Sequence, residues 1–401
     1  MRQRLYNIVD VVERKKGCQF MKFIHLGDLH LGKNVNEFSM IEDQKYILSE
    51  IVEIIKKESI DAVLIAGDIY DRSIPSEEAV KLFDSFLTVL SEMRKYVFII
   101  SGNHDSDERL NFGSRLFTAN NIYIVGRYDG EVEHIEVKDE HGAIHVWLMP
   151  YVKASRVAHF YPDEDTGTYD AAFRTAIGKC NIDSSERNII LVHQFIIGKS
   201  EEPELAGSES AVLNVGTIEK IGCDCFDLFD YVAAGHIHSC QAVGRETCRY
   251  AGSPLKYSLN QREINSQKTV PVITMTGKGN VKVETFPLKP LREVRRIKGQ
   301  LKDLIKNAVD TDDYIYATLT DETVQFDAMA RLQEIYPNTM KLDYDNRATR
   351  ALQESDVETD TEGKNFHELV FDFYKLMNGA EPGEKEWKII EEVAREAGVI
   401  E

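Results

Sequence analysis

The sequence has no apolar run near the roughly 20 residues needed to cross a bilayer, so a membrane-spanning helix is not expected. Its first twenty residues carry scattered charges and lack the apolar core of a secretion signal. Only six of 401 residues are cysteine: Cys18, Cys180, Cys223, Cys225, Cys240 and Cys248. In a long chain without a secretion signal such thiols stay reduced. Cys223 and Cys225 could face Cys240 and Cys248, but that spacing is not one of the usual zinc patterns. Positive charge is also short, with 48 Lys and Arg against 67 Asp and Glu, leaving −19. Bulk electrostatics therefore exclude a nucleic-acid binder of the ordinary basic kind. If the chain acts on DNA or RNA, bound divalent cations or a basic partner must overturn that field locally. Composition is otherwise that of a globular protein, 43% hydrophobic and 29% charged, which excludes disorder and fibrous repeats for most of the chain. The expectation is a cytoplasmic protein of two or three domains with no membrane association.

Residues 1–20 read as an appended extension, with Met21 as the true start, because residues 21–28 begin like an opening core strand. Short apolar runs at 61–67, 96–101, 188–192 and 231–234 read as buried strands. Ile47, Leu48, Ile51, Val52, Ile54 and Ile55 mark an amphipathic helix between the first of them. That alternation predicts an α/β layered core. Beyond residue 122, strand-like runs at 143–148, 269–276 and 280–286 follow more closely, which predicts mixed sheets with antiparallel pairs. Composition shifts at Pro287 and Pro290. Residues 291–306 are basic, a phosphate-contacting or merely solvated face, and a strand at 314–319, a helix over 324–335 and a strand at 340–344 follow. The division is then a main domain over 21–286, a second small α/β domain over 287–350, a polar linker over 351–365, and two amphipathic helices over 366–401. Those helices either close on their own chain or dock on a partner.

The chemistry sits in five separated blocks: Gly27-Asp28-Leu29-His30, Gly67-Asp68-Ile69-Tyr70-Asp71-Arg72, Gly102-Asn103-His104-Asp105, His193, and Gly235-His236-Ile237-His238. Each lies at or just after the end of an apolar strand, where side chains from neighbouring strands can converge. Two carboxylates (Asp28, Asp68), one amide (Asn103) and four imidazoles (His30, His193, His236, His238) then share a crevice. Oxygen and nitrogen donors without thiolate suit manganese, iron or zinc. Seven donors exceed the needs of one ion, and two ions sharing a bridging carboxylate fit the count, as in sites that clamp both oxygens of a phosphoryl centre. An isolated Asp-x-His, His-x-His or Gly-Asn-His-Asp is more often surface polarity or a turn. His25, His134, His141, His145, His159 and His367 lack strand-end context and read as surface or packing histidines.

These five blocks resemble the calcineurin-like metallophosphoesterases. Among them, the stretch 21–32 and Gly252-Ser253-Pro254-Leu255-Lys256-Tyr257-Ser258 resemble the SbcD and Mre-type repair nucleases. Asp105 after the Asn-His pair also favours that branch. The resemblance covers residues 21–286 well, the second domain weakly and residues 1–20 not at all. It implies a four-layer αββα sandwich with two mixed sheets, a small α/β capping domain and C-terminal helices. It implies one ion held by Asp28, His30, Asp68 and His238, and another held by Asp68, Asn103, His193 and His236. His104 would act as a general acid or stabilise developing charge. Some relatives carry a second catalytic histidine at position 71. Asp71 here would instead orient His104 and favour its protonated form, and Arg72 would meet a phosphate or form a salt bridge. The implied activity is double-strand exonuclease and single-strand endonuclease cleavage of DNA by a two-metal-activated water, with Mn2+ the leading cofactor. It would serve repair, recombination and replication. The implied partners are DNA, a second copy of the chain and an SbcC-type ATPase gripped by the C-terminal helices. A small-molecule phosphodiesterase or nucleotidase is the alternative. A catalytically dead scaffold is disfavoured by the complete donor set.

Overall fold

The computed structural model describes residues 20–199, 202–208, 219–309, 311–347, 349–350, 366–378 and 381–396. The expected extension (except Phe20) and the polar linker lie outside them. Two compact units divide the chain, Met1–Arg292 and Glu293–Glu401. No helix among the described residues is long and apolar enough to cross a membrane.

In the first unit the principal strands are β1 (Met21–Leu26), β2 (Ala62–Ala66), β3 (Tyr96–Ile100), β4 (Ile122–Val125), β5 (Glu133–Asp139), β6 (Gly142–Leu148), β7 (Arg187–His193), β8 (Tyr231–Gly235), β9 (Gln241–Val243), β10 (Arg245–Tyr250), β11 (Thr269–Gly277) and β12 (Asn280–Pro287). One six-stranded sheet runs β12-β11-β1-β2-β3-β4, and the other runs β9-β10-β8-β7-β6-β5. Both are mixed. β1 to β4 are parallel neighbours, while β11 joins β1 antiparallel. β6, β7, β8 and β10 are parallel, flanked by antiparallel β5 and β9.

Strand periodicity explains how the two sheets meet. Alternate residues point to opposite faces, so Phe23, Leu64, Phe98 and Ile100 of one sheet pack with Val146, Ile189, Leu191 and Tyr231 of the other. The second sheet turns Ile190, Val192, Val232 and Ala234 outward against Val157 of α3 (Ala154–Phe160) and Phe173 and Ile177 of α4 (Tyr169–Gly178). On the first sheet Ile24, Val63, Ile65 and Ile99 take the outer face and are fully buried. The helices between these strands are α1 (Ile41–Lys57), with Ile47, Leu48, Ile51 and Ile55 buried, and α2 (Glu77–Glu92), with Phe83, Phe86 and Leu90 buried. Ser76 caps α2 by accepting from the Ala79 amide at 3.3 Å, and acidic first turns on both helices suit the helix dipole. The result is four layers, helix–sheet–sheet–helix, and the two cores explain why these strands read as near-continuous apolar runs.

The second unit carries a three-stranded parallel sheet, Val294–Gly299, Tyr314–Leu319 and Thr339–Tyr344. Its core joins Ile315, Ala317 and Leu319 to Leu301 and Leu332 of the helices Leu301–Lys306 and Ala328–Gln333. The helix expected over 324–335 is shorter at both ends. Asp327 takes a left-handed φ of 52°, and the Gln325 amide donates to the Tyr344 hydroxyl at 2.9 Å, so residues 324–327 cannot continue the helix. Two further helices, Phe366–Asn378 and Glu384–Glu396, complete this unit.

Candidate metal centre

Five parallel strands bring the blocks together. β1, β2 and β3 end at Asp28–His30, at Asp68 and at Asn103–His104, while β7 and β8 end at His193 and at His236–His238. All seven candidate donors converge. The ligand atoms of Asp28, His30 and His238 lie within 4.8 Å of one another, and so do those of Asp28, Asp68 and His193. His30 Nε2 and His193 Nε2 approach Asp68 Oδ2 at 3.5 and 3.4 Å, which puts Asp68 between the two groups. Asn103 Oδ1 lies 3.0 Å from His193 Nε2 and 3.1 Å from His236 Nδ1. His30 Nε2 faces His238 Nε2 at 3.1 Å.

The backbone is strained to achieve this. Asp28, His30, Asp68 and His236 all take positive φ, at 51°, 44°, 50° and 100°. Such conformations cost about 1–3 kcal/mol each and persist only when the surroundings over-determine them. The surroundings are amide contacts between adjacent loops. Asp28 N donates to Gly67 O at 3.1 Å, His30 N to Asp68 O at 3.0 Å, and His236 N to Asp28 Oδ1 at 2.9 Å. Two glycines make room for the His193 ring, whose Nδ1 reaches Ala66 O at 2.8 Å. A Cβ on Gly67 would stand 2.4 Å from that nitrogen, and one on Gly235 would stand 1.9 Å from Ala66 O.

Electrostatics favour a cation. Burial alone would lower the His193 pKa, but the Asp68 and Asp28 carboxylates and the Ala66 carbonyl outweigh it and hold it at about 9. Burial would likewise raise Asp68, yet His193, His30 and His104 hold its carboxyl well below the usual range. A proton on His193 thus offsets buried carboxylates, the same negative charge that draws a divalent ion. Burial, with the charge of His193, pushes His236 down to about 3, and burial, with His30 and Lys268, drives His238 well below its ordinary value. Both are neutral rings with a lone pair to give. Buried oxygen and nitrogen donors converging without thiolate fit divalent ions, and the residues present fit that group.

The remaining candidates lie at the rim. His104 is exposed, its ring 4.8 Å from that of His30, and its amide donates to Asp68 Oδ1 at 2.9 Å. Asp71 differs from its expected role. Its main-chain carbonyl, not its carboxylate, meets His104 Nδ1 at 2.9 Å. The carboxylate accepts from Lys33 Nζ at 2.6 Å and stands 3.6 Å from His30 Nδ1. Burial would raise the Asp71 pKa, but those two groups bring it to about 2. The physical reason is Lys33, a nearer positive charge than any His104 offers. The Arg72 side chain is 81% exposed, with Nε 3.8 Å from Asp71 Oδ2. Of the histidines set aside, His25 is fully buried and pairs with the Tyr231 hydroxyl at 3.0 Å, a packing role.

The supporting roles of Asp105 and Tyr257, both present in the quoted motifs, escaped the sequence reading, as did Gln44. Asp105 accepts from the amides of Ile69, Tyr70 and Gly102 at 3.1, 3.0 and 2.9 Å, locking two ligand loops together. Burial and the Asp68 charge push its carboxyl up to about 6. Gln44 donates to His30 O at 2.7 Å and accepts from Gly32 N at 2.9 Å, and Tyr257 donates to Leu29 O at 2.6 Å. Gln44 had one legible signal: an amide one turn before Ile47 and Leu48, on the buried stripe of α1.

Residues 21–240 match the model of the calcineurin-like phosphoesterases, and residues 290–378 match that of the type 5 capsule protein repressor C-terminal domain. The chain is 34% identical over 329 residues to the SbcD subunit of nuclease SbcCD from Staphylococcus epidermidis, covering 80% of this chain and 85% of that protein. Among solved structures, a dimetal phosphatase from Danio rerio is 14% identical with a TM-score of 0.36, covering 67% of this chain and 99% of that one.

Proposed function

The chain belongs to the calcineurin-like phosphoesterase family, and on that premise we propose that it is the nuclease subunit of an SbcCD-type complex. It is a metal-dependent phosphodiester hydrolase acting on DNA, as double-strand exonuclease and single-strand endonuclease, in repair, recombination and replication. The observation that carries this is the convergence of seven donors from five strand ends around Asp68.

Asp28, His30, Asp68 and His238 would hold one divalent ion, and Asp68, Asn103, His193 and His236 would hold the other, so that Asp68 would serve both. Mn2+ suits this mixed donor set. When bound, the ions supply Lewis acidity toward the phosphoryl oxygens and acidify water. The chain's own groups do the rest. With His104 Nδ1–H donating to the Asp71 carbonyl, the imidazolium form of the ring would hand its Nε2 proton to the leaving oxygen and return to the neutral Nδ1–H tautomer. Asp71 and Lys33 brace His30, and Arg72, exposed at the rim, meets a phosphate of the strand. Exposure of His104 and Arg72 suits a polymer better than a small molecule.

Residues 21–286 form the nuclease domain and 287–350 the capping domain. The C-terminal helices dock on the SbcC-type ATPase, a reading supported by exposed Phe373, Ile389 and Val393. A second copy of the chain joins through the early helices, a reading supported by Phe112 and Leu116, which stand exposed beside and on the short helices Asp107–Asn111 and Ser114–Phe117. The test is metal analysis of the purified protein paired with turnover of duplex DNA, single-stranded circles, bis-p-nitrophenyl phosphate and mononucleotides. Each is measured with and without Mn2+, EDTA and the ATPase partner. Degradation of DNA that EDTA stops supports the reading. Preference for mononucleotides over DNA overturns it in favour of a nucleotidase.

A further inference from the structure

We propose that Ser208 and Glu263 are positioning residues for His238, forming a relay that fixes which of its ring nitrogens faces the metal centre. The inference rests on His238 being a ligand, as read above. Ser208 Oγ lies 2.6 Å from His238 Nδ1 and 3.2 Å from Glu263 Oε2. Glu263 is buried at 1% exposure, against Lys268 at 8%, with Nζ 2.8 Å from Oε1. A carboxylate beside an ammonium only accepts hydrogen bonds. The Ser208 hydroxyl therefore donates to Glu263, and its lone pair accepts from His238 Nδ1–H. One tautomer of His238 satisfies this chain, the one that leaves Nε2 with its lone pair. Nε2 is the atom that faces His30 Nε2 at 3.1 Å.

The same network grips the main chain of His238. Lys268 Nζ donates to His238 O at 3.0 Å and to Ser253 Oγ at 2.9 Å, so all its protons are used. Glu263 Oε1 also accepts from Tyr257 N at 3.1 Å. The Ser208 strap is itself tied down, with the Asn260 amide donating to Ala206 O and Asn260 Oδ1 capping Glu263 N at 2.8 Å. A buried ion pair is often no more stabilising than apolar residues of similar size. Here both its members aim at one histidine, the carboxylate at the ring through Ser208 and the ammonium at the carbonyl. Partners of this kind orient a ligating imidazole and raise its basicity, and losing one typically costs 10–100-fold in metal affinity.

The experiment is Mn2+ titration of the full chain by calorimetry, with electron paramagnetic resonance to report paired against single ions. It is run on wild type, Ser208→Ala, Ser208→Thr and His238→Ala, with metal-free melting curves alongside. Ser208→Ala is expected to weaken one of two Mn2+ sites by 10–100-fold and to replace the coupled-pair spectrum with a single-ion spectrum. Ser208→Thr, which keeps the hydroxyl, restores both. Two full-affinity sites in Ser208→Ala alongside a lost site in His238→Ala overturn the relay alone. Two full-affinity sites in His238→Ala overturn the ligand reading on which it rests. If Ser208→Ala melts earlier without metal, Ser208→Thr decides: loss of the ion there shows that the hydroxyl does not hold His238, and the relay fails.

Discussion

Gly235→Ala is a one-atom wedge between the two sheets. Gly235 ends β8 in the second sheet, and Ala66 ends β2 in the first. The glycine's φ lies outside the left-handed region, so alanine meets no backbone penalty and only space is at issue. The new Cβ would fall 1.9 Å from Ala66 O and 2.7 Å from His193 Nδ1, where real Cβ contacts essentially never come under 3.0 Å. The carbonyl must therefore retreat by about 1.1 Å, and the His193–Ala66 bond that aims the ring goes with it. Overpacking of this kind costs about 1–3 kcal/mol. At roughly 2–4 °C per kcal/mol for a domain of this size, melting falls by several degrees. A misplacement near 1 Å costs about 100-fold in rate, or ~2.7 kcal/mol in barrier. The assay is bis-p-nitrophenyl phosphate turnover with Mn2+, metal content after dialysis, and a melting curve. Gly178→Ala, whose Cβ meets nothing within 4 Å, is the control. A Gly235→Ala protein that keeps two ions and turns over within threefold of wild type refutes the packing argument.

His104→Ala is expected to bind both ions as wild type does while DNA cleavage falls by about 100- to 10,000-fold, measured by metal analysis and single-turnover kinetics. Persistence of cleavage removes His104 from the chemistry. His25 gives a pH prediction away from the site. Burial, then the Arg249 charge, depress its pKa from 6.5 to about 3, so the unfolded chain binds the extra proton. Stability is full above about pH 6.5 and is lost toward pH 3, at up to about 1.4 kcal/mol per pH unit from this group. Urea titrations at pH 7 and pH 5 should show the loss, and His25→Phe should flatten it. Phe373→Asp together with Ile389→Asp should leave bis-p-nitrophenyl phosphate turnover unchanged and weaken co-purification with the ATPase partner at least tenfold. Unchanged co-purification would remove those helices from the docking surface.

The sequence made the donors legible because each sits at the end of an apolar strand, a position that periodicity marks. Asp28, Asp68 and His193 stood out as candidate donors only because five such blocks occur together. Pairing was less legible: nothing in residues 269–277 says that this strand lies beside Met21–Leu26 rather than at an edge. The residues that hold the donors were hidden for a different reason. Ser208, Glu263 and Tyr257 act across long sequence separations and within no periodic pattern, so only the folded chain juxtaposes them. The role that the resemblance implied for Asp71 differs here because a shared motif position says nothing about which way a carboxylate turns, and this one turns to Lys33. The late start of the helix expected over 324–335, at Ala328, escaped because a left-handed Asp327 has no compositional signature.

Four of the seven donors hang from one sheet and three from the other. On the proposed assignment of ligands, each ion would rivet both plates of the sandwich together. Anything that spreads the plates, whether heat, a wedge or a strained substrate, would loosen the rivet before the hydrophobic filling lets go, so metal release becomes a gauge of how far the plates have parted.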